Sequence, residues 1–289
     1  MVGKTLRGIL PGVLYLTRKD CDLEDGAAVR RLFADLRPSA VVHLAALVGG
    51  IQDNVSRPWD YMIRNTLINA HVVQSAVETG VEYFLGLSST CAYPGTVLEY
   101  PMTEDQLHLG PPAMENLPYG YSKRLLGVSL DAASRQCGLK SAVLYPCNLY
   151  GPHDSFDGHR SHLVAALIRK VWNARRDGLA ELPMLGTGRP LRQFMLAGDL
   201  ARAIAGFLEG RIPGHFNVAT PENLTVDAIA DTVQRVMGFN VPRRYSGDLD
   251  GQYRKDASSD RLLAVLPDFT FTPLAEGVKQ TYEWYLQNS

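Results

Sequence analysis

The 289-residue chain has no apolar run long enough to span a bilayer, and its opening MVGKTLRGIL lacks the apolar stretch and small-residue cleavage site of a secretory signal. Cysteine is scarce. The four cysteines, Cys21, Cys91, Cys137 and Cys147, have no metal-ligand spacing and are too sparse for a disulfide scaffold, so no metal site is expected. There is no excess of either charge: the formal net charge is -1, which argues against nucleic acid or an anionic membrane as principal partner. Internal repeats and low-complexity tracts are missing too. These absences point to a cytoplasmic globular protein. With 46% hydrophobic residues, the chain has core enough for one large α/β domain or a main domain with a smaller partner.

Short apolar runs alternate with helical patterns through the first half. Val13 to Leu16, Ala40 to Leu44, Tyr83 to Leu87 and Ala142 to Tyr145 read as strands. Asp25 to Leu36, Pro58 to Thr79 and Tyr119 to Cys137 read as helices. This rhythm predicts βαβ units and a doubly wound, Rossmann-like parallel α/β sheet covered on both faces. Such a sheet ordinarily opens with a strand and a glycine-rich turn, but upstream of Val13 there is only a short helical stretch, Val2 to Leu10, carrying Gly3. The expected sheet therefore lacks its first strand and most of that turn. The sequence reading places a nucleotide-binding domain at 1–150. At 151–289 it places a smaller mixed α/β substrate lobe, with helices Val226 to Met237 and Leu274 to Gln287, that returns some elements to the main sheet. The active site would lie in the cleft between them.

Tyr119 and Lys123 stand four apart on a helix and so share a face; a cation there is expected to lower the phenol pKa and ready it for proton transfer. Alone the pair could be an ordinary amphipathic one. Its context is a strand ending in Leu87-Ser88-Ser89-Thr90-Cys91, whose hydroxyls would sit at the ligand-binding edge of the sheet. Cys91 could remove a proton from carbon beside a ketone, or be a small buried hydrophobe like Cys21, Cys137 and Cys147. His162 opens a helix from Leu163 to Lys170, where its neutral form is expected to be favoured; a cap or surface role is the alternative. His153 carries the same ambiguity, and His159 reads as a solvated loop residue. Arg169, Lys170, Arg192, Arg254 and Lys255 are either solubilising charges or a diphosphate clamp. Arg18, in Thr17-Arg18-Lys19 after the Val13 to Leu16 run, suits the 2′-phosphate of NADP better than the 2′-hydroxyl of NAD.

The ordered series His43-Leu-Ala-Ala-Leu-Val-Gly-Gly50, Ser89-Thr-Cys91, Tyr119 with Lys123, Asn148-Leu-Tyr-Gly-Pro-His-Asp154, Ser161-His162, Gly186-Thr-Gly-Arg-Pro-Leu-Arg192 and Asp250-Gly251 with Arg254-Lys255 resembles the GDP-L-fucose synthase family of extended short-chain dehydrogenase/reductases. The resemblance spans the whole chain. It implies NADP(H) as cofactor and a GDP-linked 4-keto-6-deoxysugar as substrate, epimerised at C3 and C5 and then reduced at C4. It implies that Cys91 removes protons and His162 delivers them. Tyr119 and Ser89 would bind the developing oxyanion, and Lys123 would hold the nicotinamide ribose. Gly3, Arg18, Leu44, Ala45, Ala46, Lys123, Pro146, Asn148 and His162 fall on cofactor positions. Lys170, Leu185, Arg192 and Asp250 fall on substrate positions. Leu185 departs from the family's common tryptophan, which leaves open a related ketosugar such as the colitose precursor. The shortened glycine-rich turn leaves open a non-catalytic binding protein. The family also implies a homodimer packed through the helices Pro58 to Thr79 and Tyr119 to Cys137.

Overall fold

The structure, a computed structural model, describes residues 1–156, 161–247, 250 and 252–288; His159 and Gly251 lie outside them. In chain order the first half contains α1 (Val2–Ile9), α2 (Gly26–Leu36), β1 (Ala40–His43), α3 (Ile51–Ser56), α4 (Pro58–Glu78), β2 (Tyr83–Leu87), α5 (Leu117–Cys137), β3 (Lys140–Pro146) and β4 (Asn148–Tyr150). The second half contains α6 (Leu163–Arg176), β5 (Leu182–Met184), β6 (Leu191–Leu196), α7 (Ala197–Gly210), β7 (Gly214–Val218), β8 (Asn223–Thr225), α8 (Val226–Met237), β9 (Arg243–Tyr245), β10 (Arg254–Lys255), α9 (Asp260–Val265) and α10 (Leu274–Asn288).

The main sheet is wholly parallel, in the order β1-β2-β3-β7. Strand β2 lies between two neighbours and all five of its residues are buried, which is why Tyr83 to Leu87 reads as a continuous apolar run rather than an alternating one. Gly86 lets α5 come close: a Cβ there would meet Leu130 at 3.0 Å and Leu126 at 3.2 Å. Asp25 caps α2, its Oδ1 accepting from the amides of Ala27 and Ala28 at 2.9 and 3.1 Å. Helix α5 carries Pro118 in its first turn and stops at Gly138 with φ 73°.

Val13 to Leu16 is not a strand. No described strand pairs with it, and β1 pairs with β2 alone. The Val13 amide turns back to the Leu10 carbonyl at 3.3 Å, and Val13, Leu14 and Leu16 are exposed. An apolar run makes a strand only where a neighbour takes up its amides and carbonyls.

Two apolar clusters divide the core. The first wraps the main sheet, joining Phe84 and Leu85 of β2 and Leu144 of β3 to Phe207 of α7 and Phe216 of β7. The second joins Leu167 and Val171 of α6, Ile229 and Val233 of α8, and Leu274 and Val278 of α10. Each large side chain so buried stabilises the fold by ~1.5–3 kcal/mol. Between the clusters lies β6, parallel to β4 and β10 and antiparallel to β8. Elements α7 and β7 thus carry the second half of the chain back to the main sheet.

Candidate active site

The carboxyl end of β2 runs into Ser88, Ser89 and a short 3-10 turn, Thr90–Ala92. Ser88 Oγ donates to the Lys123 carbonyl at 3.0 Å, which fixes this turn against α5. Gly120 makes the fit possible, because a Cβ there would stand 2.5 Å from the Cys91 carbonyl and 2.6 Å from Pro112 Cβ. The glycine in Tyr119-Gly-Tyr-Ser-Lys123 is therefore a steric requirement for bringing Tyr119 up to Ser89 and Cys91.

Ser89 Oγ accepts from the Cys91 amide at 3.1 Å and hydrogen-bonds the Tyr119 phenol. Lys123 is buried; its Nζ donates to the Leu87 carbonyl at 2.8 Å and stands 5.9 Å from the Tyr119 ring centroid. Burial lowers the Lys123 pKa to about 8, against the opposing pull of the Cys91 charge. The expected lowering of the Tyr119 pKa does not occur. Burial pushes the phenol well above its ordinary value, the Cys91 charge adds to this, and the Ser89 hydrogen bond offsets only part. Tyr119 is held as a proton donor.

Cys91 is half-buried, and its Sγ accepts from Lys255 Nζ at 3.0 Å. Burial alone would raise the thiol pKa. The Lys255 charge and hydrogen bond, with further hydrogen bonds to Ser89 and Asn116, carry it below the ordinary value. Cys147 shows the contrast: buried without a cation, its thiol is pushed up to about 12. In sequence Lys255 reads only as a solubilising or diphosphate-binding charge. Asn116 carries no signal of its own in the sequence, and neither residue's spacing to Cys91 reveals its place beside the sulfur.

His162 stands at the N-cap of α6, with Nδ1 3.2 Å from Asp154 Oδ1. Its neutral form is not favoured, as the helix terminus alone suggested. The Asp154 hydrogen bond and charge raise its pKa over the opposing effect of burial. The second Asp154 oxygen is buried with no hydrogen-bond partner among the described residues. On the other flank His43 is buried, its Nε2 3.0 Å from Asn69 Oδ1, while Asn69 Nδ2 donates to the Ser122 carbonyl at 3.1 Å. Burial and the Lys123 charge drop the His43 pKa to about 4, so it serves as a neutral strut linking β1, α4 and α5.

The remaining candidates fall into two groups. Arg192 on β6 is mostly withdrawn from solvent and feels both the Cys91 and the Asp250 charges. Asp250 accepts from the Thr187 amide at 2.9 Å and from its hydroxyl, and these bonds lower its pKa. Lys170 Nζ donates to the Pro183 carbonyl at 2.8 Å, burial lowering its pKa, and Leu185 is 65% exposed just beyond β5. These four gather around the segment joining β5 to β6. The second group lines the carboxyl ends of the main sheet: Leu44, Ala45 and Ala46 after β1, Pro146 at the end of β3, and Asn148, whose Nδ2 donates to the Gln193 carbonyl at 3.0 Å. Gly3 lies in the first turn of α1, where a Cβ would meet Leu44 only at 3.8 Å. Arg18 stands apart on an exposed turn, paired with Asp22 at 3.4 Å and Glu24 at 3.8 Å.

A Ser-Tyr-Lys set at the carboxyl edge of a parallel α/β sheet, with Cys91 beside it, is the arrangement of a class. The chain belongs to the NAD dependent epimerase/dehydratase family, whose profile matches residues 6–219. Within that class it is similar to GDP-L-fucose synthases. It is 32% identical to the GDP-L-fucose synthase of Dictyostelium discoideum over 95% of this chain and 87% of that one. It is 32% identical to the GDP-L-fucose synthase of Escherichia coli over 100% and 94%. Its fold matches the crystal structure of a GDP-L-fucose synthetase from Naegleria fowleri bound to NADP, with TM-score 0.88 and 28% identity over 99% of this chain and 91% of that one. No described helix is long and apolar enough to cross a membrane.

Proposed function

We propose that the protein is a cytoplasmic enzyme that converts GDP-4-keto-6-deoxy-D-mannose to GDP-L-fucose by NADPH-dependent 3,5-epimerisation and 4-reduction. The observation that carries this reading is Cys91, its sulfur 3.0 Å from Lys255 Nζ beside the reductase-type Ser89-Tyr119-Lys123 site; His162, paired with Asp154, is the second proton-transfer group this reading enlists. A simple reductase has no use for these two groups. In this reading residues 1–150 form the nucleotide-binding part and 151–289 mainly the substrate lobe.

The ketone at C4 acidifies the hydrogens at C3 and C5. Cys91, whose pKa the Lys255 charge lowers, acts as thiolate to take a proton from each carbon in turn, and the electron pair moves onto the C4 oxygen. Ser89 and Tyr119 hydrogen-bond that oxygen as charge develops there. His162, its pKa raised by Asp154, returns a proton on the opposite face as imidazolium. NADPH, when bound, supplies the hydride that reduces C4. Tyr119 gives the oxygen its proton, which suits a phenol whose pKa is raised. The residues fit the cofactor's nicotinamide half. Lys123 uses one of its three donors on the Leu87 carbonyl and keeps two for a ribose diol. Leu44, Ala45, Ala46, Pro146, Asn148 and His162 would flank the same half, with Gly3 and Arg18 toward the phosphates. Arg192, Lys170, Asp250 and Leu185 would hold the GDP-sugar.

The dimer reading is supported by an exposed apolar stripe, Tyr121, Leu125 and Val128 on α5, spaced as one helical face, and by Trp59 and Met62 on α4. The central test incubates the full chain with ketosugar and NADPH in deuterated water. Deuterium is expected at C3 and C5 of the product, and Cys91→Ser should cut its incorporation by roughly 10²-fold with little change in substrate affinity. A product free of deuterium at both carbons would sink the epimerase reading.

A further inference from the structure

Lys255 is fastened from several sides. It lies on β10 in register with Arg192 of β6. Beside it the Arg254 carbonyl accepts from Tyr100 Oη at 2.7 Å, and Gln252 Nε2 donates to the Gly95 carbonyl at 2.9 Å. Two residues on, Ala257 is tied to Gln193, its amide donating to Oε1 at 2.9 Å and its carbonyl accepting from Nε2 at 3.1 Å. A lysine side chain ordinarily gives up much rotamer freedom when held in one place. Here the backbone carrying it is pinned to the loop that follows Cys91 and to the substrate-side strand. Its ammonium ends 3.0 Å from the sulfur.

We propose that Lys255 is a positioning residue that pairs with Cys91 as an ammonium–thiolate ion pair and returns the sulfur to the thiolate between successive proton removals. The groups facing the sulfur fit that role. Ser89 and Asn116 lie near enough to favour its charged form, while Lys255 from β10, Lys123 from α5 and Arg192 from β6 place positive charge around it. Tyr119 is the neutral acid on the same side. Two epimerisations need one base twice. Each removal turns thiolate into thiol and each delivery leaves His162 neutral; before the next, the thiol releases its proton to solvent and His162 takes one up from solvent, and a fixed cation at hydrogen-bond distance favours the release. The same pair serves the later reduction, because a negative sulfur discourages ionisation of Tyr119, which must remain a phenol to protonate the C4 oxygen. The use of the thiolate as a carbon base rests on the function proposed above, whereas the ion pair itself does not.

The test therefore uses neither sugar nor cofactor. The rate of Cys91 alkylation by iodoacetamide is followed against pH on the full chain by mass spectrometry of the Cys91 peptide, with exposed Cys137 as internal reference. Lys255→Met is expected to move the midpoint of the Cys91 profile to higher pH and to slow alkylation near neutrality by roughly tenfold, leaving Cys137 unchanged. Lys255→Arg, which keeps the charge, is expected to hold the midpoint near that of the parent and covers the case in which the methionine variant misfolds. A midpoint unmoved or lowered in Lys255→Met, or one displaced upward as far by arginine as by methionine, overturns the proposal. Loss of epimerase activity with the alkylation midpoints unchanged would count against Lys255 and leave the overall function standing.

Discussion

Replacing Lys123 with methionine should make the protein more stable while nearly abolishing its activity. The ammonium is buried, and its pKa falls from 10.5 to about 8 chiefly through loss of hydration. That drop corresponds to ~3 kcal/mol by which folding is penalised whenever both folded and unfolded forms carry the proton. Methionine removes the penalty and keeps the length of the stem. Against this, the Leu87 carbonyl loses the donor now 2.8 Å away, at a cost of ~1–2 kcal/mol. The net gain is ~1–2 kcal/mol near neutral pH, a rise in melting temperature of about 2–6 °C for a chain of this size. The sign has a clear pH dependence. Below about pH 8 the penalty is complete. Between about 8 and 10.5 the folded lysine is neutral while the unfolded one is still charged, so the parent protein recovers stability as pH rises. The difference between the two proteins should therefore close by about pH 10. Calorimetric melting of both proteins near pH 7 and near pH 10, with turnover measured alongside, decides it. A variant less stable at pH 7, or a gap indifferent to pH, would refute the argument that the site holds a costly buried charge.

Further outcomes follow from other parts of the molecule. Asp154→Asn removes the carboxylate that raises the His162 pKa, so proton delivery should fail at lower pH than in the parent; the alkaline limb of deuterium incorporation is the readout, and an unmoved limb would contradict the pairing. The same change should remove whatever stability the pair adds, which is present while His162 is charged and lost as pH rises through its raised pKa. Leu125→Glu with Val128→Glu places charge in the apolar stripe of α5 and should halve the mass seen by sedimentation, whereas a parent chain already monomeric would dispose of the dimer.

The parallel sheet and the long helices were legible because their signals are local: α4 and α5 carry a 3.6-residue period, and β2 is apolar throughout. Val13 to Leu16 misleads because strand character depends on a partner that no local pattern reports. Helix α7 contains Gly198, Gly206 and Gly210, whose low helix propensity masks its period until packing of Leu200, Ile204 and Phe207 on the main sheet compensates. Within the site, Ser89, Cys91, Tyr119, Lys123 and His162 stand out in the sequence. Their electrostatics do not. The direction of the Tyr119 shift depends on burial, and that of His162 on a carboxylate eight residues away whose rotamer no spacing rule fixes. Lys255 lies furthest from such reach, since 164 residues separate it from Cys91.

That separation also has a consequence in time. During synthesis the loop bearing Cys91 emerges, and β2 can fold against α5, long before residue 255 has left the ribosome. In that interval the sulfur lacks the Lys255 ammonium that stands 3.0 Å from it in the complete fold and is a less reactive thiol. The Lys255 ammonium reaches the sulfur when β10 docks beside β6, which cannot precede synthesis of residue 255. A nascent or partly folded molecule is thereby spared an activated sulfur, and susceptibility of Cys91 to electrophiles becomes a clock for completed folding.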